Sequence, residues 1–283
     1  MRTDTHVRTI ALCARQELVI AARSRWTQLF AVVFGGLSLA VAGSGYVLSG
    51  GSGIQDFGRT AASLLQLVLL LVPLTALIMG VLTLTLEKGN AELLFAQPVA
   101  RRDVLLGSLL GLFQALVAAQ SLGFGAAGLV IFADAGGEGL PAFLMVWAGS
   151  VALTAVFLAL AALVSAGQFG RRRVRALAAA VVLWFVLVLL IDIVALGAAS
   201  FLRSGHASRL LMGSVLLNPI GVVRTGTLLA IEGTAAFGAA SLALLRFTGG
   251  PAGAAVAIAS SLLVWIVLPT ALAVRRLGRV DVV

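Results

Sequence analysis

One lysine, Lys88, and one cysteine, Cys13, stand in a chain of 283 residues. A single cysteine excludes an internal disulfide and a thiolate zinc cluster. No G-x-x-x-x-G-K-[ST] pattern surrounds Lys88, so the chain lacks the phosphate loop with which an ATPase of that type cradles its nucleotide. There is no H-E-x-x-H, and no serine–histidine pair at one membrane depth, so hydrolysis or intramembrane proteolysis has no groups to work with. Charge is scarce too: 11% of residues are charged and 60% hydrophobic, far from the usage of soluble domains. Residues 2–26 are too polar for the apolar core of a cleavable signal peptide. The two halves share no motif, which gives no support to an inverted-repeat transporter.

What the chain does have is long apolar runs. A helix of about 20 apolar residues crosses a bilayer, and six segments qualify: 27–48, 60–86, 104–133, 141–168, 175–201 and 252–274. The first is the weakest, because Gly43, Ser44 and Gly45 thin its end. The reading is an all-α integral membrane protein with six transmembrane helices, an N-terminal amphipathic interfacial helix and a long helical outer loop. Basic residues set its orientation. With both termini and the 87–103 and 167–175 loops on one side, that side holds all 20 basic residues except Arg59, Arg203, Arg209, Arg224 and Arg246. The excess belongs in the cytoplasm, and Arg171-Arg172-Arg173-Val174-Arg175 anchors it most firmly. The net charge of +9 is therefore topological and no argument for nucleic acid.

Residues 5–25 read as an amphipathic helix at the cytoplasmic surface: Val7, Ile10, Ala14, Leu18 and Ala21 follow helical spacing, opposite Arg8, Arg15 and Arg23. Trp26 falls at interface depth before the first span. The outer loops differ in kind. Ser49–Arg59 opens on Ser-Gly-Gly-Ser-Gly, and Asp134–Gly139 is a tight turn. The 202–251 loop has room for two helices, 208–217 and 220–247 with a break near Gly233. Leu228, Leu229, Ile231, Phe237, Leu242, Leu244 and Leu245 make it too apolar for a solvated linker. It must lie on the membrane, re-enter it shallowly or be covered by another protein. A seventh span there would place Arg275, Arg276 and Arg279 outside, against the charge rule.

Asp192 is the single ionisable residue inside a span, in LWFVLVLLIDIVALG. A carboxylate at the centre of a transmembrane helix costs roughly 2.5–3.5 kcal/mol on insertion scales. Two readings stand: a functional carboxylate in a pathway, or a residue near enough the outer end of its span to meet Arg203 or lipid headgroups. Met79, Met145 and Met212 are thioethers of the kind that bind copper(I), but methionines scattered through apolar helices are ordinarily filling. His206 and Met212 share the outer loop as a weak pair, and no metal site is assigned.

The most informative segment is EKGNAELLFAQPVARRDVLLG, residues 87–107, between two uncharged runs. It is too elaborate for a turn. Leu93, Leu94 and Phe95 form an apolar knob that would be costly to leave uncovered, and Arg101 and Arg102 beside it can pair with acidic groups on a soluble partner. Glu87, Gly89, Glu92, Leu93, Leu94, Pro98, Arg101, Leu105 and Gly107 fit a frame that resembles the second cytoplasmic entry of ABC-2 transporter permeases. Asn90 and Ser108 depart from that frame. Asp192 in its span, and Asn218, Pro219, Arg224, Glu232 and Gly233 in LLNPIGVVRTGTLLAIEG, look like the NosY type of that family.

The resemblance implies the ABC-2 (type V) permease fold over nearly the whole chain, in the bacterial inner membrane. It implies that this chain is not itself catalytic and binds no cofactor of its own. ATP and magnesium would be bound by a separate cytoplasmic ATPase. It further implies a homodimer, two copies of that NosF-like ATPase docked on 87–102, and a NosD-like periplasmic protein meeting Asn218, Pro219, Arg224 and Glu232. The expected task is copper or sulfur handling for the maturation of nitrous oxide reductase. Export of a lipid, peptide or drug, and a scaffold that relays force without moving a solute, remain as alternatives.

Overall fold

The structure, a computed structural model, describes residues 2–49, 54–85, 99–135, 140–166, 173–232, 245 and 247–279. The described chain is helical: α1 Arg2–Arg23, α2 Arg25–Ser49, α3 Ile54–Leu84, α4 Arg101–Ala135 and α5 Leu140–Ser165. Then follow α6 Arg173–Phe185, a π turn Val186–Leu190, α7 Ile191–Ser200, α8 Ser204–Leu217, α9 Pro219–Glu232 and α10 Pro251–Gly278. This is an all-α membrane protein. Among the described residues, six helical segments are long and apolar enough to cross a bilayer: Arg25–Ser44, Thr60–Leu84, Arg101–Phe132, Leu140–Ser165, Arg173–Ser200 and Pro251–Gly278. They coincide with the six runs expected from hydropathy. The fifth is made of α6, the π turn and α7 in succession.

α5 is the central helix, enclosed by α3, α4, α9 and α10. Its mate α4 carries Gln120, which is fully buried. Ser150 donates to Gln120 Oε1 at 2.5 Å, and Gln120 Nε2 donates to Thr154 Oγ1 at 3.2 Å. Polar groups at this depth have no water to turn to, so they close on one another and fix the register of α4 against α5. Nearer the other end of α4, Phe34, Phe124, Phe143 and Phe132 run in sequence across α2, α4 and α5, with successive ring centres 5.5–5.6 Å apart.

Two cross-links define one face of the bundle. Arg101 Nη1, at the start of α4, donates to the Leu277 carbonyl near the end of α10, and Arg173 Nη2, at the start of α6, donates to the Leu82 carbonyl near the end of α3. Each guanidinium caps a neighbour's orphan carbonyl. His6 of α1 bonds to Asp103 of α4 at this same face. Both described ends of the chain therefore sit on one basic face, as the charge pattern requires.

The N-terminal helix has a partner that the sequence reading did not name. α1 packs along the first turns of α4 and not simply on a lipid surface. Ala14 and Ala21 are buried and Leu18 joins the core, as the apolar spacing requires, whereas Val7 is exposed. The close approach depends on glycines. A Cβ at Gly107 would lie 2.5 Å from Cys13 Cβ, and one at Gly111 would strike the Ala14 carbonyl. Farther along, a Cβ at Gly123 would lie 2.8 Å from Phe34 Cδ1, so α2 follows the same groove. At 35 residues, α4 is about 52 Å long and outruns a hydrocarbon core of about 30 Å. Replacing Gly111 with Leu should drive α1 off α4 at a cost of about 1–3 kcal/mol. Limited proteolysis should then cut α1 faster, while the Gly36→Leu control, at a position with open space around it, should not change the rate.

Candidate functional site

The expected docking segment lies mostly outside the described residues: Glu87, Gly89, Glu92, Leu93, Leu94, Phe95 and Pro98 all fall there. The structure does describe its exit into α4. Arg101 and Arg102, expected to face acidic groups on a partner, are engaged within the chain. Arg101 holds the end of α10. Arg102 Nε lies 3.4 Å from Asp103 Oδ1 and its Nη2 lies 3.3 Å from His6 Nε2. Asp103 is only 5% exposed. A guanidinium only donates, so His6 Nε2 accepts from Arg102 and Nδ1 carries the proton toward Asp103. Asp103 also sits in the first turn of α4, where a negative charge suits the helix dipole. One carboxylate thus ties α1 to the helix that follows the docking segment.

Glu17 and Cys13 complete this seam. Glu17 lies beside Gly111, and burial raises its pKa above the ordinary carboxyl value. Burial also raises that of Cys13, with Asp103 and Glu17 adding to the effect. A raised folded-state pKa favours the protonated acid. The contribution of Glu17 to folding is full below the pKa of the unfolded carboxyl and is lost as pH rises through the higher folded value. Glu17→Gln should flatten the pH dependence of the melting temperature in that window and raise it at neutral pH, as measured in detergent from about pH 4 to pH 8. A wild-type dependence retained in the variant would refute the assignment.

The second constellation lies within the spans. α8 leaves the bundle face opposite the basic one, where α7 ends, and α10 starts from that opposite face. Between them α8 and α9 meet at a bend of 101°. Asn218 occupies the corner, fully buried, and its Nδ2 donates to the Leu187 carbonyl at 2.8 Å. Leu187 lies in the π turn at the middle of the fifth span. The same side chain accepts from the Ile220 amide at 3.1 Å and caps α9. Pro219 follows at the first helical position, where its missing N–H costs nothing. α9 then packs on α5, where Val223 and Thr227 meet Gly149, and on α10 through Gly226 and Ile258. The corner of the pair thus lies level with the π turn at the middle of the fifth span.

This settles the place of several candidates. Asp192 pairs with Arg224 of α9 at 2.7 Å, and not with Arg203. The two side chains are 30% and 33% exposed. Asn218 and Pro219, expected as contacts for an outside protein, are buried within the chain and present no surface. Glu232 ends α9, and its side chain lies outside the described residues. The expected 208–217 helix starts earlier, at Ser204, and the break expected near Gly233 falls outside the described residues. Met79 of α3 and Met212 of α8 are buried in different clusters, and Met145 of α5 is exposed. An apolar cavity of about 430 Å³ lies between α5, α9 and α10, lined by Met145, Gly149, Ala152, Val223, Gly226 and Ile258 among others. Sequence reasoning missed the His6–Asp103 tie because the two residues are 97 positions apart. It missed the Asp192–Arg224 pair because α9 was taken to lie near the surface.

Comparison with known proteins agrees with this architecture. A family model described as ABC-2 family transporter protein matches residues 11–282. The chain is 36% identical over 237 residues to the probable ABC transporter permease protein NosY of Pseudomonas aeruginosa, covering 81% of this chain and 85% of that protein. It is 33% identical over 238 residues to the probable ABC transporter permease protein NosY of Stutzerimonas stutzeri, with the same coverage of each. With six helices among the described residues long and apolar enough to cross a membrane, and a family match over residues 11–282, the chain belongs to the ABC-2 family of transporter proteins.

Proposed function

We propose that this permease subunit couples ATP hydrolysis in a separate cytoplasmic ATPase to copper or sulfur handling for maturation of periplasmic nitrous oxide reductase. The observation that carries the coupling is the locked root of α4. The segment carrying Leu93, Leu94 and Phe95 runs into Arg101, which holds the end of α10. Arg102 and Asp103 then hold α1 through His6. A push on residues 87–100 reaches three helices at once through contacts that need no rearrangement. The basic face is cytoplasmic in this reading, because lysine and arginine concentrate there, and the membrane is the bacterial inner membrane. Two copies of the chain would receive two copies of a NosF-like ATPase, which binds ATP and magnesium, with a NosD-like protein on the opposite face. The maturation role rests on the resemblance to the NosY type and on the two NosY-named relatives.

The cavity favours a second reading, export of an apolar substrate such as a lipid. Its walls are almost wholly aliphatic, with Thr227 among the few polar groups, a lining suited to an apolar ligand. A third reading, a scaffold that transmits force without solute flux, uses the same locked root.

Purified in detergent from its own host, the chain should bring down an ATPase bearing a phosphate loop. Changing Leu93 and Leu94 to Asp should cut that recovery at least about tenfold, as expected when an apolar anchor is replaced by charge. Undiminished recovery would refute the docking assignment. In proteoliposomes of the whole complex, ATP-dependent lipid movement would favour the exporter. ATP-dependent change in the periplasmic partner without flux would favour the scaffold.

A further inference from the structure

We propose that the fifth span carries a register switch, in which the Val186–Leu190 π turn is the joint and the Asp192–Arg224 pair is its releasable latch. The inference goes beyond the coupling role and does not depend on an ATPase.

In the π turn the Ile191 amide donates back to the Val186 carbonyl, five residues earlier, where an α-helix would use four. Such a turn holds one residue more than the α-helix allows and commonly sits at functional positions. Every residue beyond it is rotated by about 100° relative to an unbroken helix, the angle of one residue at 3.6 per turn. The orientation of Asp192 therefore depends on whether the turn is π or α. In the π register it meets Arg224 at 2.7 Å. Conversion of the turn to α would swing the carboxylate off α9.

The two contacts that hold the π register are unequal. Asn218 is fully buried, and its amide is used twice, on the Leu187 carbonyl and on the Ile220 amide. It serves as a fixed pivot. Asp192 and Arg224 are each about one-third exposed, so a competing polar group can reach their bond, as it cannot reach the buried amide of Asn218.

The parts on either side of the joint also differ. α9 is wedged among α3, α5 and α10, with Val222 and Val223 buried. α7 buries only Ala195 and Ala199 and leaves Ile193, Val194 and Leu196 exposed. The side that would rotate is the loosely held one. Its largest neighbour is α8, to which the short Phe201–Arg203 link joins it.

The test uses the full chain in lipid nanodiscs, with Cys13→Ser to remove the native thiol. Spin labels are placed at Val194→Cys on α7 and Leu263→Cys on α10, 58% and 61% exposed. The parent should give one dominant distance. Asp192→Asn and Arg224→Gln each remove the same pair, so both should populate the same second distance, raised about three- to tenfold over the parent, the range that polar contacts between membrane helices support. The exchange of the two residues, Asp192→Arg with Arg224→Asp, should restore the parent distribution. Unchanged distances in both single variants would overturn the latch, as would two different second distances. A folded exchange variant that keeps the second distance would also overturn it. A variant that fails to fold removes only its own arm, because the other single variant makes the same prediction independently.

Discussion

Lipid offers no hydrogen bonds, and the bend between α8 and α9 breaks the backbone ladder at the level of the spans. The half of the bundle away from the basic face depends on how Asn218 resolves that conflict. Its amide nitrogen supplies a donor to Leu187, and its oxygen receives the first amide of α9. Pro219 follows without an amide hydrogen to satisfy. A broken helix is tolerated at such depth only where protein meets the freed groups. One side chain does so for two elements, and it thereby joins the irregular turn of the fifth span to the corner of the bent pair.

At the other end the constraint is steric. α1 and α2 follow a groove on α4 that exists because Gly107, Gly111 and Gly123 carry no side chain. Small residues let membrane helices approach closely enough for dispersion to act without a hydrophobic drive from water. The His6–Asp103–Arg102 cluster closes the exposed end of that seam, and Arg101 closes the junction with α10. Arginines of the basic face also cap its helices. Their topological and structural uses are compatible, because helix C-termini on the basic face present carbonyls where arginines collect.

Much of the architecture was legible in the chain. The six spans were, since an apolar run of 20 or more residues has few fates outside a bilayer. The shared side of the two ends followed from the arginine distribution, and the apolar stripe of α1 was readable through Ala14, Leu18 and Ala21. The stripe could not show that its partner is α4, because periodicity reports which face is covered and never by what. Glu17, a charged residue on the packed side, went unread for the same reason. The 202–251 segment was recognised as too apolar for a linker, but its depth depended on Asn218, whose short polar side chain reads equally as a turn residue at a surface.

Hydrophobic length and charge placement are local properties, and so the sequence alone determined the span count, the membrane class and the family frame around residues 87–107. The pairing of Asp192 was not decided there. Arg203 stands 11 positions away and Arg224 stands 32 positions away, and proximity along the chain favoured the wrong one. Only the packed structure chose Arg224, because the fold-back at Asn218 lifts α9 against the fifth span and the π turn rotates the carboxylate toward it. Rotation about a helix axis and the meeting of distant segments are set by the sum of all packing contacts, which no single stretch of sequence contains.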